Sequence, residues 1–268
     1  MRAVWAAAFL LMVYATGWWF APGDPLQQHR DLARAAPSAA HWLGTDDFGR
    51  DVFSRFLAGG SWSVLEGASA TVLVLALGWI CGAAAGLRRG WTDTILSAVI
   101  ELLLTLPWLY VLIGLRSLLP LGMAPRKAVA VMLLSIAAVS WARPARLVRG
   151  LVLSLKERGY VAAARGFHVP EWKIFMRHIL PGTYGLLATQ ALVLFPRFVL
   201  AEVTLSYLGL GAGEPDPSWG GLIFDGLKRA YGLSEQWWRV LPPILMLPLF
   251  VSCAIAARVA ARRLLPSR

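Results

Sequence analysis

Cysteine, histidine and charge are all scarce in this chain, and each scarcity closes a possibility. Two cysteines and four histidines in 268 residues cannot build a disulfide framework and leave little for a metal cluster. A disulfide-stapled domain and a zinc module are therefore excluded. Charged residues make up 15% and hydrophobic residues 57%, whereas soluble domains run near about 25% and about 45–50%. Negative charge is scarcest: 15 Asp and Glu stand against 26 Lys and Arg, for a formal charge of +11. Such a chain is either a membrane protein with one basic face or a nucleic-acid binder with an unusual core. The placement of the charges decides between them.

Catalytic motifs are missing as well. The chain has no His-Glu-x-x-His and no Gly-x-Ser-x-Gly, and His29, His41, His168 and His178 are spread over different segments. There is no phosphate-cradling Gly-x-x-x-x-Gly-Lys, so ATP, if used, is hydrolysed by another chain. The glycines of LGLGAG miss the dinucleotide pattern and follow no strand pattern.

What the chain does have is long charge-free runs. A helix crossing about 30 Å of hydrocarbon needs about 20 mostly apolar residues. Ala3–Gly23 is uncharged, Ser63–Leu87 carries only Glu66, and Thr94–Leu115 only Glu101. Ala128–Ala142, Ile179–Pro196 and Val240–Ala257 are uncharged. The expected fold is an all-α integral membrane protein with six transmembrane helices. The first run ends in Trp18-Trp19-Phe20, which reads as an interfacial aromatic belt on a retained helix, not as a signal-peptide cleavage site.

Six spans place both termini on one face. That face holds 15 of the 26 basic residues against Asp93, Glu157 and Glu171, and so carries +12, while the rest of the chain carries −1, for the net +11. By the positive-inside rule it is cytoplasmic. A nucleic-acid role is disfavoured because the basic residues lie in loops between spans. In the second run, Gly78, Gly82 and Gly86 recur every four residues. This spacing lets another backbone come close, within the chain or across a dimer; packing within the chain is expected. Cys81 and Cys253 read as small apolar residues.

Charges inside spans cost roughly 2.5–3.5 kcal/mol at mid-helix on insertion scales and usually pair or face water. Glu66, Glu101, Arg197 and Glu202 are the candidates for pathway or structural roles. Arg197 either faces a water-filled pathway or pairs with Glu202.

The segment from Arg143 to Pro181 is too long for a turn and holds eight Lys and Arg against two Glu. Its apolar stripe Leu147, Val148, Leu151 and Leu155 extends the fourth span into the cytoplasm. Ala162-Ala163-Ala164-Arg165 favours a helix, Gly166 a break, and Pro170 the start of a second short helix. A short helix held on two stiff arms suits a partner's groove; the alternative is a basic loop resting on anionic headgroups.

The stretch YVAAARGFHVPEWKIFMRHILPG resembles the cytoplasmic "EAA" loop of ABC importer permeases. Ala163 and Ala164 match its two alanines, and Ile179, Leu180 and Pro181 form, as Ile-Leu-Pro, the end where the family has Ile-x-Leu-Pro. Ala162 stands where the family has glutamate and His168 where it has glycine. The run from His41 to Arg55, with Gly44, Thr45, Asp46, Gly49, Arg50 and Asp51, is similar to the H-x-L-G-T-D-x-x-G-R-D signature of the dipeptide/oligopeptide/nickel subfamily, in its second permease subunit type. Ala201–Gly211 with Pro217-Ser218-Trp219-Gly220 resembles the same subunit's A-E-x-x-L-S-F-L-G-L-G…P-x-x-W-G segment.

The resemblance implies a type I ABC importer transmembrane domain in the bacterial inner membrane. Residues 1–60 would form the first helix and an extracytoplasmic segment. Residues 61–262 would form the permease core, with the coupling loop at 143–181. Implied partners are a homologous permease in a heterodimer, two ABC ATPase subunits and an extracytoplasmic substrate-binding protein; no cofactor is held by this chain, ATP being bound by the ATPases. Tyr160, Ala162, Ala163, Ala164, Arg165, Gly166, His168 and Pro170 would lie on the coupling element that docks on the ATPase, with Ile179 and Pro181 closing it. The segment from Thr45 to Arg55 would contact a binding protein or the partner permease, or cap itself internally through Asp46, Arg50 and Asp51. Peptide transport is the expectation, with nickel or another small solute as alternatives; a secondary transporter or a membrane-embedded enzyme is the reading from a different class.

Overall fold

The computed structural model describes residues 2–88, 90–117, 120, 125–207, 215–228, 238 and 241–264. The regular elements are helices: α1 (Arg2–Ala15), α2 (Val52–Leu87), α3 (Trp91–Thr105), α4 (Trp108–Ser117), α5 (Pro125–Ser140), α6 (Ala142–Lys156), α7 (Gly159–Gly166), α8 (Glu171–Ile174), α9 (Leu180–Tyr207), α10 (Trp219–Lys228) and α11 (Leu241–Leu264). Among the described residues there is no strand, only an isolated bridge between Thr45 and Asp51. The motif glycines of Leu208–Gly211 lie outside the described residues.

The six charge-free runs fall on α1, α2, α3 with α4, α5, α9 and α11. Three helical stretches are individually long and apolar enough to cross a membrane: Val52–Leu87, Glu171–Ser206 and Ile244–Ala261. Their exteriors stay apolar, with Leu65, Val72, Ile80, Leu200, Leu247 and Val251 exposed. Exposed apolar surface on this scale fits lipid or a partner subunit rather than water.

Two runs are built differently from their hydropathy. The second begins at Val52, not Ser63, because the Asp51 side chain caps α2 by accepting the Ser54 N–H at 2.7 Å. At 36 residues the helix is about 54 Å long, well beyond the hydrocarbon thickness. The third is two helices. Proline disfavours helical backbone in the residue before it, and Leu106, preceding Pro107, is extended (φ −75°, ψ 130°), which ends α3.

Helix α2 is the axis of the molecule. Its first half packs Phe56 and Val64 with α1, α9, α10 and α11 around buried Trp219, Leu249 and Cys253. Its middle packs Ala70 and Val74 against Ile136 and Ala137 of α5 and Leu194 and Phe198 of α9. Its second half lies along α6, where the glycine stripe does its work. A Cβ at Gly78 would sit 2.9 Å from Pro144, one at Gly82 2.4 Å from the Ala145 carbonyl oxygen, and one at Gly86 2.9 Å from Val152. The stripe is therefore an intramolecular seam, and α6 follows α2 toward the basic face. The face α6 buries is Ala142, Ala145, Val148, Val152 and Leu155; Leu147, expected in that stripe, is exposed.

Candidate functional site

The basic segment after α6 folds into two short helices on a shared apolar base. Val161 and Ala164 of α7, Ile174 of α8 and Ile179 are buried against Ala83, Val148, Val152 and Leu155. Each short helix thus spends one face on the end of the α2–α6 seam. The opposite face is open: Tyr160, Ala162, Ala163, Arg165, Gly166, Phe167, His168, Pro170, Trp172 and Met176 are exposed. Helix α7 ends at Gly166, where the sequence suggested a break.

Polar contacts fix this unit to the membrane helices. Lys156 Nζ donates to the carbonyls of Gly86 at 3.0 Å and Leu87 at 2.8 Å, satisfying carbonyls that α2 leaves open at its C-terminus. Arg165 grips Glu171 with two contacts, at 2.7 and 3.3 Å, and so ties α7 to α8. The neighbouring guanidinium holds the Glu171 carboxyl below the ordinary glutamate range. Arg149 makes a similar two-point contact with Asp93, at 2.6 and 2.9 Å, which joins α6 to α3.

The turn between the short helices explains the position of His168. Its N–H reaches the Arg165 carbonyl at 2.9 Å, and the Val169 N–H reaches the Ala164 carbonyl at 3.1 Å. These two bonds form the Schellman arrangement, which requires a left-handed residue. His168 adopts it, with φ 57°, where glycine would do so without steric cost. After α8 the chain makes a π-helical turn, Phe175–Ile179, before α9, and the Leu180 N–H reaches back to the Phe175 carbonyl. Pro181 has no N–H to continue the α-helical ladder, so the Ile-Leu-Pro end marks this irregular joint.

At the other end of α2, the run from Gly44 to Asp51 forms a buried polar cap. The Asp46 carboxylate accepts the N–H groups of Phe48 at 2.8 Å and Arg50 at 2.9 Å and meets Arg50 Nε at 2.6 Å. Asp51 accepts Ser54 N–H and contacts His41 Nδ1 at 3.0 Å. The Thr45 hydroxyl accepts the Ala35 N–H and donates to the Leu32 carbonyl. Gly49 has φ +72°, and a Cβ there would stand 1.7 Å from the His29 carbonyl oxygen. Asp46, Thr45, Arg50 and Asp51 are all buried: Asp46 and Arg50 face each other, while Thr45 and Asp51 are held by Leu32, Ala35, His41 and Ser54; Gly44, also left-handed at φ 67°, completes the fold of the loop.

The four intramembrane candidates have different surroundings. Glu202, 3% exposed, accepts the hydroxyls of Ser206 at 2.7 Å and Ser63 at 3.0 Å. Ser63 in turn accepts the Trp219 N–H at 3.3 Å. This network joins α2, α9 and α10, and it unites the Ala-Glu-x-x-Leu-Ser and Pro-x-x-Trp-Gly segments that are separated in sequence. Glu202 is therefore not the partner of Arg197. Glu66, one turn from Ser63, has an Oε1 buried without a hydrogen bond among the described residues. Glu101 is exposed and lies 3.5 Å from Arg146. Arg197 is exposed on α9 and lines a cavity with Arg143, Ser140, Leu104 and Phe198.

Sequence reasoning missed Ser63, Ser206 and Lys156. The four-residue spacing of Glu202 and Ser206 was the available signal for the first network. Among the described residues no group of three or more His, Cys, Asp or Glu could hold a metal ion.

Residues 75–266 match the model of the family described as binding-protein-dependent transport system inner membrane component. The dipeptide transport system permease protein DppC of Bacillus subtilis is 34% identical over 249 residues, covering 93% of this chain and 75% of that protein. The oligopeptide transport system permease protein OppC of Haemophilus influenzae is 34% identical over 248 residues, covering 92% and 75%. The glutathione transport system permease protein GsiD of Pectobacterium atrosepticum is 35% identical over 225 residues, covering 82% and 73%.

Proposed function

This chain belongs to the family of binding-protein-dependent transport system inner membrane components, and from that premise we propose that it is the permease subunit of an ABC importer for peptides. It is a transport subunit, not an enzyme. Relatives named for dipeptide, oligopeptide and glutathione transport support small peptides as the cargo. The translocation pathway is completed by a second, homologous permease. Two ATPase subunits bind on the cytoplasmic side and hold the ATP, and an extracytoplasmic binding protein delivers the solute.

In this reading the chain crosses the inner membrane six times, through α1, α2, α3 with α4, α5, α9 and α11. Both termini and the α6–α8 segment face the cytoplasm, as the distribution of Lys and Arg favours.

The observation that carries the mechanism is the two-faced helix α7. Its buried side is fixed to the end of the α2–α6 seam, and its open side presents Tyr160, Ala162 and Ala163 beside Phe167. A groove on an ATPase that takes up the open side moves the buried side with it. ATP-driven closure of the ATPase pair then acts on α2 through Lys156 and on α3 through α6 and the Arg149–Asp93 contact, so the spans rock as rigid bodies. The π-helical joint before α9 is where the lever meets a third span. Ala162 offers a smooth apolar contact where the family places a carboxylate, so docking rests on shape and on the aromatic side chains.

Dipeptide uptake by proteoliposomes holding the whole transporter is the test. Uptake should require ATP hydrolysis and the binding protein. Uptake driven by an ion gradient without ATP would show a secondary transporter and overturn the proposal.

A further inference from the structure

Two arginines are left over from the ion pairs that this chain makes. On α6, Arg146 faces Glu101 and Arg149 faces Asp93, but Arg143 has no acidic partner among the described residues. Arg197 on α9 has none either. Both are exposed, and both line one cavity between α3, α5, α6 and α9, whose other walls include Leu104, Ser140, Leu194 and Phe198. No lining residue is acidic.

Their depth follows from their neighbours. Pro144 lies against Gly78 in the second half of α2, and Phe195 and Val199 lie against Gly67 near its middle, so Arg197 is level with the middle of α2 and Arg143 lies nearer its cytoplasmic end. An unpaired guanidinium there is costly against lipid and is tolerated where it meets water or an anion. The backbone points the same way. Leu106, where α3 ends in an extended residue, also lines the cavity. Broken backbone at membrane depth is tolerated inside protein or along a water-filled space. The negative end of the α3 dipole amounts to about half a charge, which offsets only part of two full positive ones.

We propose that this cavity is a carboxylate-recognising station on the translocation path, with Arg197 as the forked donor and Arg143 as a second positive charge. A guanidinium matches a carboxylate in two-point geometry, and a peptide always presents one. The apolar walls tolerate varied side chains while the arginines hold the common group, so the station favours solutes of higher negative charge. This inference rests on the permease reading above.

The test is competitive uptake of Ala-Glu and Ala-Lys by the whole transporter in proteoliposomes, both at concentrations that saturate the binding protein. R197E should shift the ratio of the two rates about tenfold toward Ala-Lys, and R197K should keep it near the wild-type value. Because a ratio is insensitive to the amount of folded protein, an unchanged ratio in R197E overturns the proposal. A second arm reads the site without transport. R197C, with Cys81 and Cys253 replaced by alanine, should react with a water-soluble cationic thiol reagent, and Ala-Glu should slow that reaction. A thiol that reacts only with a membrane-permeant reagent places Arg197 against lipid headgroups or the partner subunit and also overturns the proposal. If the wild-type transporter imports neither dipeptide with ATP, the permease reading fails, while the thiol arm still reports on the cavity.

Discussion

Replacing Gly82 by alanine tests the seam through which the cytoplasmic helices would act on the membrane core. The added Cβ would stand 2.4 Å from the Ala145 carbonyl oxygen and 2.9 Å from Val148 Cβ. Both contacts belong to α6, and the shorter one is to backbone, which no rotamer change relieves. Helix α6 must therefore move away from α2 by something near an ångström. Overpacking of this kind costs about 1–3 kcal/mol, against about 0.5–1 kcal/mol gained from better helix propensity. The net expectation is a loss of about 1–2 kcal/mol. Gly150 supplies the control on the same seam partner, since a Cβ there meets nothing within 4 Å. Gly150→Ala should keep the propensity gain and stabilise. Thermal unfolding of both variants in detergent, followed by tryptophan fluorescence, reads the two signs side by side. A Gly82→Ala variant that melts at or above the wild type would refute the close α2–α6 approach and the mechanical link built on it.

Two further outcomes concern the coupling turn. His168→Gly should stabilise the cytoplasmic unit by up to about 1 kcal/mol, because a left-handed residue with a Cβ costs about 1–2 kcal/mol and glycine loses part of that gain to unfolded-state entropy; hydrogen exchange of residues 159–171 measures it. The Arg165–Glu171 clasp gives a pH dependence with a fixed sign. The carboxyl is held below its ordinary value, so the clasp contributes fully above the unfolded glutamate value of about 4.3 and is lost as pH falls through the lower folded one. Protease resistance of the α7–α8 segment should thus be flat near neutral pH and fall only in acid, and Glu171→Gln should remove the acid step.

Much of this architecture was legible in the sequence because it rests on local rules. Charge-free runs marked the apolar helices, the four-residue glycine spacing marked the seam, and the alanines between Tyr160 and Gly166 marked α7. Other features depend on backbone or on distant partners. A hydropathy scan does not see that Pro107 makes Leu106 extended, so α3 and α4 read as one span. It placed the start of α2 at Ser63, whereas the Asp51 cap and buried Arg55 carry the helix outward to Val52. Glu202 looked available to Arg197 because the two are close in sequence. Its acceptors are filled instead by Ser206, one turn away, and by Ser63, 139 residues away. The left-handed turn at His168 explains why a glycine belongs at that position, which motif matching alone does not.

The central claim is that the open face of α7 is where ATP hydrolysis enters this chain. Ala163 is exposed there, so Ala163→Arg adds bulk and charge to the docking face without touching the buried side. The decisive measurement is ATP-driven dipeptide uptake by proteoliposomes carrying this variant or the wild type, with equal amounts of folded permease confirmed by melting. Loss of a central interface contact worth about 2 kcal/mol or more predicts uptake reduced by tenfold or more, together with release of the ATPase on purification. Wild-type uptake rates with the ATPase still bound would contradict the account.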